Sequence, residues 1–436
     1  MKRVSRKPEN AKPTRNALVQ IEKPIYGGSF LARVEGKATF VPLTLPGEQA
    51  RVRIVEEKRS YALAEPEEIV TAAPERVAPG CRHFGACGGC NYQHANYESQ
   101  LGFKRAILRE TLERGGVSAP EKIEVLAGNP WQYRNRIRLA VDGAGRVGYR
   151  ARRSHDLVPI SECPIASPLL VQAALHAAEI LRGMKPAIRP MEISLFSNAE
   201  ESELLASIFV LDSATRGLDQ FFEEWKKRIP ALIGVELVEE GHAEEPARAI
   251  ARSGEASLTY RVGGVNYRVD HGAFFQVNRW LVDALVDRVS AGRRGGLAWD
   301  LFAGVGLFAR RLAESFEHVA AVESAPMAVR ALAHNLEGTQ STCVKAETLA
   351  FLKAHRTAKP DLIVVDPPRV GLGAETTSVL AEVGAPTIVY VSCDPATLAR
   401  DLRALIDAGY ALSSVALADL FPQTFHLESV VELRRS

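Results

Sequence analysis

Apolar and polar positions alternate in short runs from Ala17 to about residue 72, and Gly27-Gly28, Gly36 and Pro46-Gly47 punctuate them. Period two with such turn residues predicts the strands of a compact β-barrel. Residues 93 to about 115 (QHANYESQLGFKRAILRETLERG) read as a helix stopped by a glycine pair. Further on, MEISLFS and ELLASIFVL alternate again, as in an antiparallel sheet accompanied by helices. The pattern then changes. LAWDLFA, HVAAVES, DLIVVD and TIVYVS are continuous apolar runs separated by helical stretches such as LFARRLAESF and PATLARDLRALIDAG. That alternation predicts a doubly wound, mainly parallel α/β sheet.

With 436 residues the chain is long enough for two or three domains, and 46% apolar with 24% charged residues is the composition of a globular protein. The net charge of +2 hides a local excess. Lys2, Arg3, Arg6, Lys7, Lys12 and Arg15 face only Glu9, which predicts a disordered basic arm over residues 1–16 that touches phosphates. No apolar run follows the arm, so it is not a secretory signal, and no stretch has membrane-spanning length. Six cysteines in so long a chain point to a reducing, cytoplasmic setting rather than a disulfide scaffold. Trp131, Tyr133, Arg134, Arg136 and Arg138, followed by Arg146, Arg150, Arg152 and Arg153, interleave rings with cations. Such a segment suits a nucleic-acid surface, and a solvated basic hairpin fits it nearly as well.

The chemistry concentrates in the α/β half. TIVYVS ends at Ser392, Cys393 follows, and Asp394-Pro395 opens a helix. Pro suits the first helical position and Asp caps its free N–H groups, so Cys393 is expected at a helix N-terminus that favours thiolate, as a nucleophile. The turn from Asp300 to Ala309 carries Gly304 and Gly306, where the backbone approaches a nucleotide-like ligand, and Glu323 closes the next strand, placed to accept from ribose hydroxyls. The same glycines match a dinucleotide fingerprint. Asp366-Pro367-Pro368-Arg369 ends DLIVVD, and Arg369 stands where amine methylases carry a stacking aromatic. Cys81, Cys87 and Cys90 form C-x5-C-x2-C, with Cys163 as the candidate fourth ligand of a zinc ion or an iron–sulfur cluster. Cys343 reads as an ordinary buried residue. Glu428, near His426, is either a general base or a strand-edge charge, and His271 and Gln276 read as core-edge polar groups.

In their order along nearly the whole chain, the barrel, the four cysteines, FFQVN, DLFAGVGLF, DPPR, SCDPATLARDL and HLES resemble the RNA 5-methyluridine methyltransferases, and the barrel resembles the RNA-binding TRAM domain. The resemblance implies a basic arm (1–16), a TRAM-like, OB-like barrel (17–72), a central α+β domain with the cluster (73–265) and a Rossmann-like class I methyltransferase domain (266–436). Residues 93–125 would be helical and pack on the catalytic domain. It implies S-adenosylmethionine as donor, held by Gln276, Phe302, Gly304, Gly306, Glu323 and Asp366. Cys393 would be the nucleophile and Glu428 the base, and Cys81, Cys87, Cys90 and Cys163 would hold a four-iron, four-sulfur cluster. The substrate expected is RNA, ribosomal before transfer RNA, methylated at carbon 5 of a uridine by a cytoplasmic monomer with no membrane partner. Leu307 and Ala303 depart from an Asn and a Cys frequent in the family. An NAD-dependent dehydrogenase would need the glycine turn but has no use for Cys393 or Glu428. A non-catalytic RNA-binding protein would explain the barrel and the arginines but not the α/β half.

Overall fold

The computed structural model describes residues 15–184, 188–211, 215–240 and 247–435, so the basic arm lies outside them except for Arg15 and Asn16. The chain divides into two compact units. One takes the chain up to Gly85 with Cys90–Ile107 and Gln423–Phe425; the other takes Ala86–Gly89, Leu108–Pro422 and His426–Ser436.

In the first unit, β1 (Asn16–Pro24), β2 (Ser29–Val34), β3 (Lys37–Pro42), β4 (Gln49–Glu57) and β5 (Tyr61–Thr71) close a barrel in the order β1-β2-β3-β5-β4. The alternation read from sequence is the reason. In β4, Ala50, Val52 and Ile54 point inward while Arg51 is exposed, and Phe30, Val41 and Tyr92 complete the core. One charge is buried with them. Glu48 is fully buried, accepts from the Leu45 and Ala73 backbone N–H groups, and pairs with Arg76 at 2.7 Å.

In the second unit, β7 (Arg136–Val141), β8 (Val147–Arg150), β9 (Leu157–Pro159), β10 (Pro190–Ser197), β11 (Leu204–Val210), β12 (Leu232–Glu239) and β13 (Arg248–Gly254) form a sheet ordered β13-β12-β11-β10-β7-β8-β9. Helices α2 (Pro168–Met184) and α3 (Leu218–Arg228) pack on it. α3 buries Leu218, Phe221, Phe222 and Trp225, one stripe at helical spacing. The expected helix over residues 93–125 is shorter: α1 is Tyr97–Arg114, and Glu124–Leu126 forms strand β6. Gly115 and Gly116 end it, and a Cβ on Gly115 would lie 2.7 Å from that of Ala399, so only glycine allows this close approach.

The hairpin β14 (Ser257–Val262) and β15 (Val265–Asp270) leads through α4 (Val282–Ser290) into an eight-stranded sheet. Its elements alternate as the sequence predicts: β16 (Gly295–Leu301), α5 (Leu307–Leu312), β17 (Phe316–Glu323), α6 (Pro326–Asn335), β18 (Ser341–Lys345), α7 (Thr348–Ala354), β19 (Leu362–Val365), α8 (Ala374–Val383), β20 (Thr387–Ser392), α9 (Pro395–Asp407), β21 (Tyr410–Ala418) and β22 (Glu428–Arg435). The spatial order is β18-β17-β16-β19-β20-β22-β21-β6. β18, β17, β16, β19 and β20 run parallel, and β22 is antiparallel to both its neighbours. Buried on both faces, β19 reads Leu-Ile-Val-Val without alternation. The winding reverses between β16 and β19, which leaves a crevice at their carboxyl ends. No described helix is long and apolar enough to cross a membrane.

The buried pair in the barrel gives a stability prediction. Burial pushes the Glu48 carboxyl up, but hydrogen bonds from Arg76 and two backbone N–H groups outweigh it and hold the group below its ordinary 4.5. The folded value is depressed, so the pair's contribution is complete above pH 4.5 and fades as the pH falls through the lower folded value. Arg76→Ala should cost about 2–4 kcal/mol, because it strands a buried carboxylate. Hydrogen exchange of the barrel amides in urea should register that loss at pH 7 and a smaller one at pH 3.

Candidate active site

The crevice between β16 and β19 opens into a narrow cleft lined among others by Phe274, Gln276, Phe302, Gly304, Leu307 and Asp366. Phe302 leaves β16 with φ 64°, a left-handed conformation that costs a non-glycine residue energy and turns the chain sharply at the cleft wall. Gly306 follows at φ 88°, and a Cβ there would meet Leu332 at 2.7 Å, so its role is to let the turn close rather than to line the cleft. Glu323 is tied to the same turn. One carboxylate oxygen accepts from Gly304 N–H at 2.9 Å, and the other accepts from Ser324 and Ala325 N–H. With two donors on one oxygen and one on the other, Glu323 keeps an acceptor site only on the oxygen that takes Gly304 N–H, and it does not line the cleft.

Two carboxylates matter here, Asp366 in the cleft wall and part-buried, and Asp300 near it. Asp300 is fully buried; one of its oxygens accepts from Ala309 N–H at 2.8 Å and the other has no partner. Burial drives it up to about 8, and burial drives Asp366 up to about 7. A slot walled by Phe274, Phe302 and Leu307 and edged by Asp366 fits a ligand that is flat and apolar over most of its length and cationic at one point. Asp300 had not been singled out in the sequence. Its signal was its place as the last acid of a strand before the glycine turn.

The second half of the site is set by strand register. β20 and β22 pair antiparallel with Ser392 opposite Ser429. Cys393 directly follows Ser392 and Glu428 directly precedes Ser429, so the pairing brings both to the same end of the two strands, close enough for the Glu428 charge to act on the thiol. Asp394 caps α9, accepting from Ala396 and Thr397 N–H at 3.0 Å each, with Pro395 in the first turn as the sequence predicts. The neighbouring loop is stapled to this helix: Thr397 Oγ1 donates to the Arg369 carbonyl at 3.0 Å, and buried Asp401 accepts from Leu372 N–H at 2.7 Å and the Tyr390 hydroxyl at 2.8 Å. Arg369 donates to His426 Nδ1 at 3.1 Å. An arginine only donates, so that imidazole nitrogen is the acceptor and the ring proton resides on Nε2.

The electrostatics correct one expectation. The helix terminus does not leave Cys393 as a thiolate; burial pushes its thiol up to about 11, the Glu428 and Asp366 carboxylates add to the rise, and Arg369 opposes it. Glu428 is 5% exposed, not a strand-edge charge, and burial, then Asp366, raises it well above the usual carboxylate range while Arg369 again opposes. Arg369 is thus the cation that eases ionisation of both groups.

Other candidates fall elsewhere. His271 is buried, with Ser207 Oγ 3.3 Å from Nδ1 and the Glu255 carbonyl 3.2 Å from Nε2, and burial lowers its pKa: it is a core-edge group. Gln276 is both a core-edge residue and a cleft residue. Cys343 lies partly buried on β18. Within the interleaved segment Tyr133 is buried and Arg136 stacks 4.2 Å over Phe196, while Arg138 stacks over Phe209 with its side chain 52% exposed. Cys81 and Cys90 belong to the first unit, Cys87 and Cys163 to the second. Within the second, Cys163 Sγ lies 3.7 Å from the Tyr149 hydroxyl, and Gly89 N–H donates to Cys87 Sγ at 3.4 Å. After burial, the charges of Cys163 and Cys87 are among the causes that raise the Tyr149 hydroxyl well above its ordinary pKa. Among the described residues, no group of three or more His, Cys, Asp or Glu side chains is arranged to hold a metal ion.

Comparison with known proteins bears directly on this arrangement. Residues 255–436 match the family model of the tRNA (Uracil-5-)-methyltransferases, and residues 14–66 match that of the TRAM domain. The chain is 34% identical to the 23S rRNA (uracil(1939)-C(5))-methyltransferase RlmD of Halomonas elongata, over 94% of this chain and 87% of that protein. It is also 34% identical to an uncharacterized RNA methyltransferase of Streptomyces avermitilis, over 95% of this chain and 97% of the relative. In fold it is similar to the Pyrococcus abyssi tRNA (uracil-54, C5)-methyltransferase, solved with S-adenosyl-L-homocysteine, with a TM-score of 0.76 at 24% identity over 96% of this chain and all of that one.

The raised thiol makes a pH prediction. Alkylation of Cys393 by iodoacetamide, read peptide by peptide in a mass spectrometer, should climb about tenfold per pH unit from neutrality and level off near pH 11. Arg369→Met should move that midpoint upward and Arg369→Lys should largely restore it. A plateau already at pH 8 would mean that the helix terminus outweighs burial.

Proposed function

This chain belongs to the S-adenosylmethionine-dependent RNA uracil-5-methyltransferases, and we propose that it methylates ribosomal RNA through a covalent bond between Cys393 and the target uracil. One observation carries the reading: the half-buried Cys393 thiol, one residue past the end of β20, and the buried Glu428 carboxylate, at the start of β22, come to the same end of these paired strands, and both feel the charge of the cleft residue Asp366. Carbon 5 of uracil is too weak a nucleophile to take a methyl group directly. Addition of the Cys393 sulfur to carbon 6 converts the ring to an enolate with its electron density at carbon 5. S-adenosylmethionine supplies a methyl group on a cationic sulfur. Phe302 and Leu307 would hold its apolar parts, and Asp366 and Asp300 would balance its charge. Glu428 then takes the carbon 5 proton, and the bond from carbon 6 to sulfur breaks, returning Cys393.

Burial serves both steps. It strengthens Glu428 as a base once charged, and it keeps Cys393 a thiol until Arg369 and the donor's positive charge favour the thiolate. Ribosomal RNA is preferred because relatives named for 23S rRNA share 34% identity along nearly the full length, barrel included. The transfer-RNA reading draws on the family model over residues 255–436 and on the archaeal fold relative. Mass spectrometry of ribosomal and transfer RNA from a deletion strain decides between them: loss of 5-methyluridine from transfer RNA alone would overturn the ribosomal assignment.

Cys393→Ala should lose methyl transfer by on the order of 10³ or more while S-adenosylhomocysteine still binds. RNA carrying 5-fluorouridine should form a denaturation-resistant adduct with the native protein, since fluorine cannot leave as a cation. Glu428→Gln should attack and methylate but release slowly, and so accumulate an adduct with ordinary RNA. Fast turnover without an adduct would assign proton removal to another group.

The same reading places a four-iron, four-sulfur cluster on Cys81, Cys87, Cys90 and Cys163, in a central region over residues 73–265. The soft donor set supports it, as do the Gly89 N–H on Cys87 and the Tyr149 hydroxyl beside Cys163, because such donors stabilise cluster thiolates. Four cysteines leave no open coordination position, which suits a structural role. Protein purified without oxygen should be brown and carry roughly four irons per chain. A colourless protein with one zinc would sink this assignment and leave the methyltransferase untouched.

A further inference from the structure

The loop that runs from the cleft towards α4 ends in an aromatic side chain that the methyl transfer does not use. Trp280 is 43% exposed, four positions beyond Gln276. A single exposed tryptophan is ordinary. The way this one is held is not. Its indole N–H donates to the Trp131 carbonyl at 3.1 Å, and its backbone N–H donates to Asn278 Oδ1 at 3.0 Å. One face of the ring lies on the Arg279 guanidinium, 4.2 Å from centroid to carbon. Arg279 is itself fixed. Its side chain is 6% exposed, pairs with Glu201 at 2.7 Å, and donates to the Gln132 and Ala199 carbonyls at 2.9 and 3.2 Å.

With its edge tied and one face covered, the exposed part of the indole is its other face. A buried arginine held by an ion pair and two carbonyls is a costly support for a surface side chain, and a small polar residue at 280 would serve folding as well. What the arrangement does supply is a flat, immobile π-face that loses no rotamer freedom when something lies on it. Nucleobases are the partners that stack on such faces regardless of sequence. Position favours them too. Gln276 and the 63% exposed Phe274 belong to the same loop and line the cleft, and four residues span at most about 14 Å, the reach of one or two nucleotides. A uridine drawn out of its stack leaves a neighbouring base without a partner, at a cost of a few kcal/mol that a replacement ring recovers.

We infer that the Trp280 indole, propped by Arg279 and Trp131, is a stacking platform for an unpaired base next to the target uridine in the RNA strand. The inference rests on the RNA-methyltransferase reading. Its test compares Trp280→Phe, Trp280→Leu and Trp280→Ala in methylation of ribosomal RNA taken from a strain lacking the protein. Base–aromatic stacking is worth about 5- to 150-fold in binding. Ala and Leu should therefore raise the KM for RNA at least about fivefold, with kcat and S-adenosylhomocysteine affinity held. Phe should stay within about threefold of the native protein, because the ring rather than its greasiness is what counts. An Ala variant with native KM would overturn the platform, and so would a Leu variant as good as Phe. Unchanged melting temperature and donor affinity confirm that each variant is folded. If the native protein methylates transfer RNA and not ribosomal RNA, the substrate assignment fails by itself, and the same three variants are compared on transfer RNA.

Discussion

One antiparallel pairing governs the chemistry of this protein. β22 enters the sheet against the direction of β20, so the start of one strand meets the end of the other. Residues 393 and 428 are far apart in the chain, and no local rule relates them. Register does: with Ser392 opposite Ser429, the thiol that follows one strand and the carboxylate that begins the other come to the same end of the pair. A slip of one residue would turn Glu428 to the other face of the sheet.

The second constraint is electrostatic. Asp300, Asp366 and Glu428 are carboxyl groups held by burial above their ordinary pKa, and each raises the cost of ionising its neighbours. Such a site holds few net charges until a cation enters. A ligand with a positive sulfur supplies one, and Arg369 supplies another at the edge. In the proposed mechanism binding and activation would be coupled for that reason: the charge that the acids attract would also be the charge that favours the thiolate.

Rigidity comes from α9. Asp394 caps its first turn, while Thr397 and Asp401 hold the loop that carries Arg369 through hydrogen bonds to the Arg369 carbonyl and the Leu372 N–H. The strand end, the helix start and the facing loop therefore move as one piece, and the thiol keeps its distance from the arginine. Asp401 in turn takes the Tyr390 hydroxyl, which ties the loop back to β20.

Local signals in the sequence determined much of this. The continuous apolar runs marked the parallel strands, because both of their faces are covered. The Asp394-Pro395 pair marked the start of α9, because capping is a matter of adjacent residues. The glycines at 304 and 306 marked the turn, because only backbone freedom permits it. What depended on distant neighbours was not legible. Glu428 looked like an edge charge, and Cys393 looked like a ready thiolate, because burial and neighbouring carboxylates are set by packing. Among the arginines after Trp131, Arg136 and Arg138 lie on Phe196 and Phe209, rings that other strands of the sheet deliver and that no local pattern announces. The glycine pair after Arg114 marked the end of α1, but the pairing of the segment beyond it, which the family resemblance extends as helix to residue 125, as β6 beside β21 was not legible. Capping, turns and strand propensity act over a few residues and can be read along the chain. Desolvation and cross-strand register are properties of what the fold brings alongside, and only the tertiary structure fixes them.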